Sequence, residues 1–354
     1  MKLIAVMILL VSSVAVVIAV QNPSPANSQT IIVIAHSEKT TTVNVQVPMI
    51  RAEKEYQYFA DLPGVSVAMQ QNVNLIDSLN SYSSPRFIDV QDENPCTYVH
   101  DGSLGMPPGR PPGIATKEIP LLLPPKERTD NSTVLRISYQ SDEFTIRKDI
   151  LDRFVDRTGD VILLVLTRKR GQVEVRGAQA IKYPSTHELP KSVAFHFPRV
   201  IDAINRRLAE KNSETGIFLE YFWDIRWCDY CMETQRLFEL ESVKELGVFW
   251  YDQRVPNNPG VELYLTRLRV TPNSTRLQQE MMLEVNERAE YYQVRFYSRS
   301  DWTGNDKCEA AKTYIAEQSK RRADEIRTLS ELTGWPAEVI HALKIPQVNV
   351  PKNE

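Results

Sequence analysis

A surplus of charge of either sign is missing: 42 lysines and arginines stand against 45 acidic residues, a formal net charge of −3. Phosphate binding needs a clustered basic surface, so nucleic acid gains no support as a partner. Also missing are the phosphate loop, the dinucleotide fingerprint, the nucleophile elbow and the histidine–glutamate zinc motif, and no cofactor is implied. Histidine is sparse. His36, His100, His187, His196 and His341 are dispersed, with no pair at metal-ligand spacing, so a metal site would have to be assembled through the fold. His196, between Phe195 and Phe197 in a strand-like run, reads as structural. Beyond Gln29 no apolar run approaches membrane length, and the most apolar piece, Val161 to Leu166, is strand-sized. No internal repeat is visible.

What is present begins with Met1, Lys2 and an apolar run from Leu3 to Val20 in which Ser12 and Ser13 are the only polar members. One basic residue ahead of such a run is the layout of an export signal. Two small-residue exits follow, ending at Ala19 and Ser28, so the expectation is a cleaved signal or a membrane tether through residues 3–20. Either places the rest outside the cytoplasm, as a periplasmic, secreted or membrane-anchored protein. No cysteine lies near either exit, which argues against a lipoprotein. The remainder, in a chain 25% charged and 42% hydrophobic, has the composition of a globular protein with a sizeable core.

Four cysteines occur: Cys96, Cys228, Cys231 and Cys308. An even count in an exported protein favours disulfides, and four cysteines leave three connectivities open.

The expected organisation is residues 1–28 as signal or anchor with a polar spacer, 29–92 as an N-terminal β-rich region, 93–128 as a proline-rich loop or linker, 129–345 as the main α+β region, and 346–354 as a tail. Ile31–Ala35 and Thr41–Val47 read as a hairpin, and Val73–Leu79 as a helix ending before Pro85. The prolines between Asp92 and Pro125 remove amide donors and exclude helix and central strand. Strands are expected over 134–139, 143–147, 161–167 and 173–180, with Arg168–Gly171 as the hairpin tip joining the last two. A helix starts at Pro198 and ends at Lys211, before Gly216. Further strands are expected over 217–222, 248–251, 262–270, 280–285 and 292–297. A long amphipathic helix over 306–333 should face the sheet through Cys308, Ala311, Ile315, Arg322, Ile326 and Leu329, leaving Lys320-Arg321-Arg322 on a solvated face. Gly334 caps it, and Pro336 opens a short closing helix. Strands in succession with flanking helices argue for an α+β fold with a largely antiparallel sheet. Asn131-Ser132-Thr133 and Asn273-Ser274-Thr275 fit the N-glycosylation pattern.

The most informative block is Trp227-Cys228-Asp229-Tyr230-Cys231, set after an apolar strand and before a helical stretch (232–246). Thioredoxin-like oxidoreductases place a redox pair in that setting, where a helix N-terminus lowers the thiol pKa. Cys228 would be the nucleophile and Cys231 the resolving thiol, with Trp227 and Asp229 tuning access. Pro272 stands where a thioredoxin carries its cis-proline. Against this, Asn273–Glu280 is polar where a strand should be apolar. The segment between motif and proline is also crowded, and Cys96 and Cys308 suggest a fold that uses cysteine for bracing. A local structural disulfide is the favoured reading, with redox catalysis and metal binding by the same cysteines as rivals.

Several blocks in one order give a family resemblance. They are Leu75-Ile76-Asp77-Ser78-Leu79 with Tyr82-Ser83-Ser84-Pro85-Arg86, Asp92-Glu93-Asn94-Pro95-Cys96, and Glu220-Tyr221-Phe222-Trp223-Asp224 running into the cysteine pair. Leu246 to Trp250, Thr266-Arg267-Leu268-Arg269-Val270, Trp302-Thr303-Gly304 to Cys308, and Leu332 to Trp335 complete them. Together they span about Ile31 to Leu343, and the chain resembles the bacterial domain-of-unknown-function 2330 family. The resemblance implies an exported bacterial protein and supplies no activity. The sequence departs from the family between Tyr139 and His196, and Gly105–Pro125 looks like an insertion. The expectation is therefore a non-catalytic envelope or secreted domain stapled by Cys228–Cys231 and Cys96–Cys308, whose partner is another envelope protein or a surface ligand. A cross-link closing the long Cys96–Cys308 loop contributes roughly 2–5 kcal/mol.

Overall fold

Runs of β-branched residues set the framework. Thr30–Ser37 (β1) and Thr40–Pro48 (β2) form the expected antiparallel hairpin, with Ile32 opposite Val45. Met49–Ala60 (α1), Val65–Gln70 (β3) and Asn74–Ser83 (α2) follow, and α2 stops before Pro85 because a residue preceding proline leaves the helical region. Next come Arg86–Asp92 (β4), Gly113–Pro120 (β5), Ser132–Gln140 (β6), Thr145–Ile146 (β7), Lys148–Phe154 (α3), Val161–Thr167 (β8) and Gln172–Val175 (β9). Ile181–Lys182 (β10), His187–Glu188 (β11), Val193–Lys211 (α4), Ile217–Asp224 (β12), Leu240–Glu245 (α5) and Tyr264–Val270 (β13) continue the chain. Met281–Asn286 (β14), Tyr292–Gln293 (β15), Arg295–Ser300 (β16), Glu309–Thr333 (α6) and Ala337–His341 (α7) close it.

This computed structural model describes residues 29–37, 39–70, 74–97, 113–120, 132–155, 159–211, 216–225, 240–250, 262–305 and 307–343, with the backbone alone for 113–119 and 240–242. The apolar run at 3–20, His100, the tail and the block Arg226–Cys231 lie outside the described residues, as does most of 93–128. No described helix is long and apolar enough to cross a membrane.

The fold is α+β. The main sheet has the order β10-β12-β13-β8-β1-β2-β6-β3, with β15 beside β12; a second has the order β11-β16-β4-β5 and a third β7-β14-β9. The first two sheets are mixed, and the third is antiparallel throughout. β1 and β8, β10 and β12, β11 and β16, and β16 and β4 run parallel, and the other pairings run antiparallel.

Strands β1 and β8 lie at the centre, and both are buried on their two faces, as their unbroken apolar sequences require. Ile32, Ile34, Leu163 and Val165 point into one core with Phe59 of α1, Ile150 and Phe154 of α3, and Val173 and Leu283 of the small sheet. Ile31, Val33, Leu164 and Leu166 point the other way, onto Leu75, Ile76 and Leu79 of α2 and Val243 near the end of α5. This alternation is the period of two that a pleated strand imposes. A third core joins the second sheet (Phe87, Phe296) to Phe197 and Val200 of α4, Leu329 of α6 and Ile340 of α7.

Several expectations are corrected. Residues 113–120 form a strand, β5, paired antiparallel with β4 inside the stretch expected to be loop or linker. The reason is local: no proline lies between Pro112 and Pro120, so the intervening amides are free to pair, and β5 occupies a sheet edge where Pro120 is tolerated. Strands on both sides of residues 93–128 share the main sheet. Arg168–Gly171 is not a hairpin tip, because β9 leaves β8 and pairs with β14. Residues 249–250 form a turn, and 248 is not in a strand. His196 belongs to a helix and not to a strand; its backbone (φ −124°, ψ 16°) kinks α4, and Pro198 sits in the first turn of the new segment, which tolerates a missing amide hydrogen. Gly334 caps α6 with φ 74°, as expected.

Candidate functional site

Of the expected staples, Cys96 and Cys308 are joined by a disulfide with a Cα–Cα distance of 5.8 Å. Cys228 and Cys231 lie outside the described residues. Pro272, the second point of likeness to thioredoxins, is preceded by a trans bond. It also follows Val270, which pairs with Ile217 at the start of β12, whereas the cysteine block follows Asp224 at that strand's other end. Among the described residues no cluster of histidine, cysteine, aspartate or glutamate is arranged to hold a metal.

The disulfide adjoins a clamp between the second sheet and α6. Asp92, at the end of β4, is fully buried. Its Oδ1 accepts from Arg299 Nη1 at 2.6 Å, and its Oδ2 accepts from Arg321 Nη1 at 2.9 Å and from the Tyr314 hydroxyl at 2.7 Å. The same hydroxyl accepts from the Trp302 amide at 3.0 Å. Arg299 reaches on to Glu188 of β11, and Arg321 to Asp301. Arg321 is therefore not on a solvated face. Burial pushes the Glu325 carboxyl up to about 7; Arg321 opposes this, and Glu188 and Asp301 add to it.

A second polar network lies under α2. The pairing of β12 with β13 shifts register between Leu219 and Tyr221, a bulge that re-aims Glu220. Its two oxygens accept from Arg267 Nε and Arg269 Nε, with all three side chains at 1% exposure or less. Arg267 also donates to Asn80 Oδ1 at 2.7 Å, and Arg269 to Asp160 at 2.8 Å. Both networks are paired internally, and among the described residues each leaves one buried guanidinium nitrogen, Arg321 Nε in the clamp and Arg269 Nη2 under α2, without a hydrogen-bond partner. They are braces.

The open feature is a cleft of about 610 Å³ where the carboxyl ends of the parallel strands β1 and β8 lie side by side, His36 opposite Thr167. Phe144, Leu283 and Val285 give it an apolar floor, and Arg168, Lys169, Arg170, Glu262 and Glu284 surround them. The His36 ring stacks on Phe144 with centroids 4.1 Å apart and planes 11° from parallel, and its Nδ1 meets Thr41 Oγ1 at 3.0 Å. Burial lowers the His36 pKa, so the ring is neutral at pH 7. A smaller cleft of about 390 Å³, lined by Phe249, Trp250 and Gly247, shares Ser37 with it. Asp224 of β12 pairs with Tyr264 of β13, which pairs with Thr167, so the strand that leads to the cysteine block ends on this same side of the sheet.

Sequence reasoning found Cys96 and Cys308 and missed the cleft. The signal available was the run Arg168-Lys169-Arg170-Gly171, read as a solvated turn. Comparison with known protein families, with curated proteins and with solved structures finds no match.

Proposed function

We propose that this chain is an exported, extracytoplasmic binding domain with no catalytic chemistry, stapled by Cys96–Cys308 and Cys228–Cys231, whose partner is another envelope protein or a surface ligand. The observation that carries the reading is the Cys96–Cys308 bond, which ties the second sheet to the start of α6. Disulfides of this kind persist in oxidising compartments and are reduced in the cytosol. The export-signal layout of residues 1–28 supports the same location. The open cleft, lined by residues that belong to neither polar network, supports binding.

The rival reading is an extracytoplasmic thiol–disulfide oxidoreductase using Cys228 and Cys231, favoured by the Trp-Cys-x-x-Cys block after β12 and weakened by the trans Pro272 at that strand's far end. Redox titration of the purified protein against glutathione, with mass-spectrometric trapping of each cysteine, separates the two. The binding domain requires all four cysteines to stay oxidised well below the glutathione potential. A Cys228–Cys231 pair in ready exchange near the thioredoxin or disulfide-isomerase potentials overturns it.

A further inference from the structure

We propose that the cleft at the carboxyl ends of β1 and β8 binds a small monoanionic carboxylate that carries a flat apolar body. The proposal deepens the reading of this chain as a binding domain and rests on it.

Placement comes first. In mixed and parallel sheets, crevices outside the carboxyl ends of adjacent parallel strands are recurrent ligand sites, because the chain departs there and leaves room between its exits. β1 and β8 are such a pair, and the cleft's volume of about 610 Å³ is of the size that encloses small molecules.

Shape comes next. The Phe144 ring and the His36 ring laid nearly parallel on it form a rigid flat surface, since His36 is fixed from behind by Thr41. Leu283 and Val285 extend the apolar floor. Planar rings stack on such surfaces in offset geometry.

Charge then selects the ligand. The loop from Arg168 to Arg170 is drawn tight by Gly171, whose φ is 144° and where an added Cβ would meet Val285 Cγ1 at 2.6 Å and the Asn286 carbonyl oxygen at 2.7 Å. Lys169 pairs with Glu287, whereas Arg168 and Arg170 have no ion pair among the described residues. A guanidinium grips a carboxylate through paired hydrogen bonds. The lining also carries Glu262, which accepts from the Tyr264 hydroxyl at 2.9 Å, and Glu284, 3.7 Å from Arg176. Among the described lining residues, three cations against two carboxylates leave one positive charge, with His36 neutral. That balance is matched by one negative charge on the ligand.

The test uses 2-naphthoate and its uncharged isostere 2-naphthamide, titrated calorimetrically into the purified protein at pH 7. Naphthoate is expected to bind about tenfold or more tightly than the amide, as loss of a charge-assisted hydrogen bond predicts. The exposed double variant Arg168→Glu/Arg170→Glu, which leaves the core untouched, is expected to lose about tenfold or more for naphthoate and little for the amide. Absence of naphthoate binding, equal affinity for both probes, or an unchanged double variant overturns the proposal. Failure here with all cysteines locked in the redox titration removes this ligand class and leaves the braced binding domain standing.

Discussion

Glu220 shows how a single side chain can be read wrongly from its surroundings in sequence. Thr266-Arg267-Leu268-Arg269-Val270 alternates as a half-exposed strand would, with arginines facing water. Instead both guanidiniums are buried at 1% exposure, because Glu220 reaches them from the neighbouring strand through a bulge. Nothing local announces a partner 47 and 49 residues away. Burial pushes the Glu220 pKa up, but Arg269 and Arg267 outweigh it and hold it below the usual carboxylate value. Replacing Glu220 by Gln leaves two buried cations with only one carboxylate, Asp160, between them. The variant is expected to lose about 3–5 kcal/mol in urea unfolding at pH 7. A depressed carboxyl stabilises the fold above its unfolded pKa and loses that contribution as pH falls through the folded value. The gap between wild type and variant should therefore narrow on acidification, and a gap that stays constant with pH would contradict the assignment.

Elements were legible where their pattern is local. The β1/β2 hairpin, the continuous apolar strand β8, the helix from Pro198 and the Gly334 cap all follow from residues within one turn or one pleat. Helix α6 was legible as a helix and in part of its buried face, where Ala311, Ile326 and Leu329 turn inward. The expected stripe included Ile315, which is 57% exposed, while Tyr314, Arg321 and Glu325 turn toward the sheet. A polar seam runs beside the apolar one because β4, β11 and β16 end there in Asp92, Glu188 and Ser300, followed by Asp301. The groups facing Glu325 are Arg321 and Arg322 of its own helix, Glu188 of β11 and Asp301 after β16. With its pKa raised to about 7, Glu325 keeps a proton in the folded state that the unfolded chain has released, over the window from about 4.5 to about 7. Its contribution is present in full at the acid end and fades as pH rises through that window. Glu325→Gln fixes the uncharged form, so the variant is expected to be more stable than wild type at pH 8 by about 1–2 kcal/mol, allowing for its partial contact with water. Near pH 4.5 the two should converge. Thermal unfolding at both pH values reads this directly, and a variant less stable at pH 8 would place Glu325 among the clamp's necessary anions.

At the scale of the molecule, the first described strand ends up in the middle of the main sheet, parallel to a strand more than a hundred residues later. Division into a region at 29–92 and another at 129–345 was a reading of composition, and composition does not record which strands pair. The second sheet is likewise assembled from distant pieces, β4 and β5 with β11 and β16, and Cys96–Cys308 spans 212 residues to fasten it to α6. Chain-entropy arguments give a loop of that length about 5 kcal/mol of stabilisation, with measured values for native disulfides nearer 2–5. The double variant Cys96→Ser/Cys308→Ser is therefore expected to unfold at lower urea concentration by an amount within that range. It should still fold, since Asp92, Arg299, Arg321 and Tyr314 hold the same junction without the bond. No residue lining the cleft belongs to this junction, so naphthoate affinity should be unchanged in the variant under native conditions. If affinity falls along with stability, the brace and the cleft are coupled through the main sheet, and the disulfide does more than tie the ends of a loop.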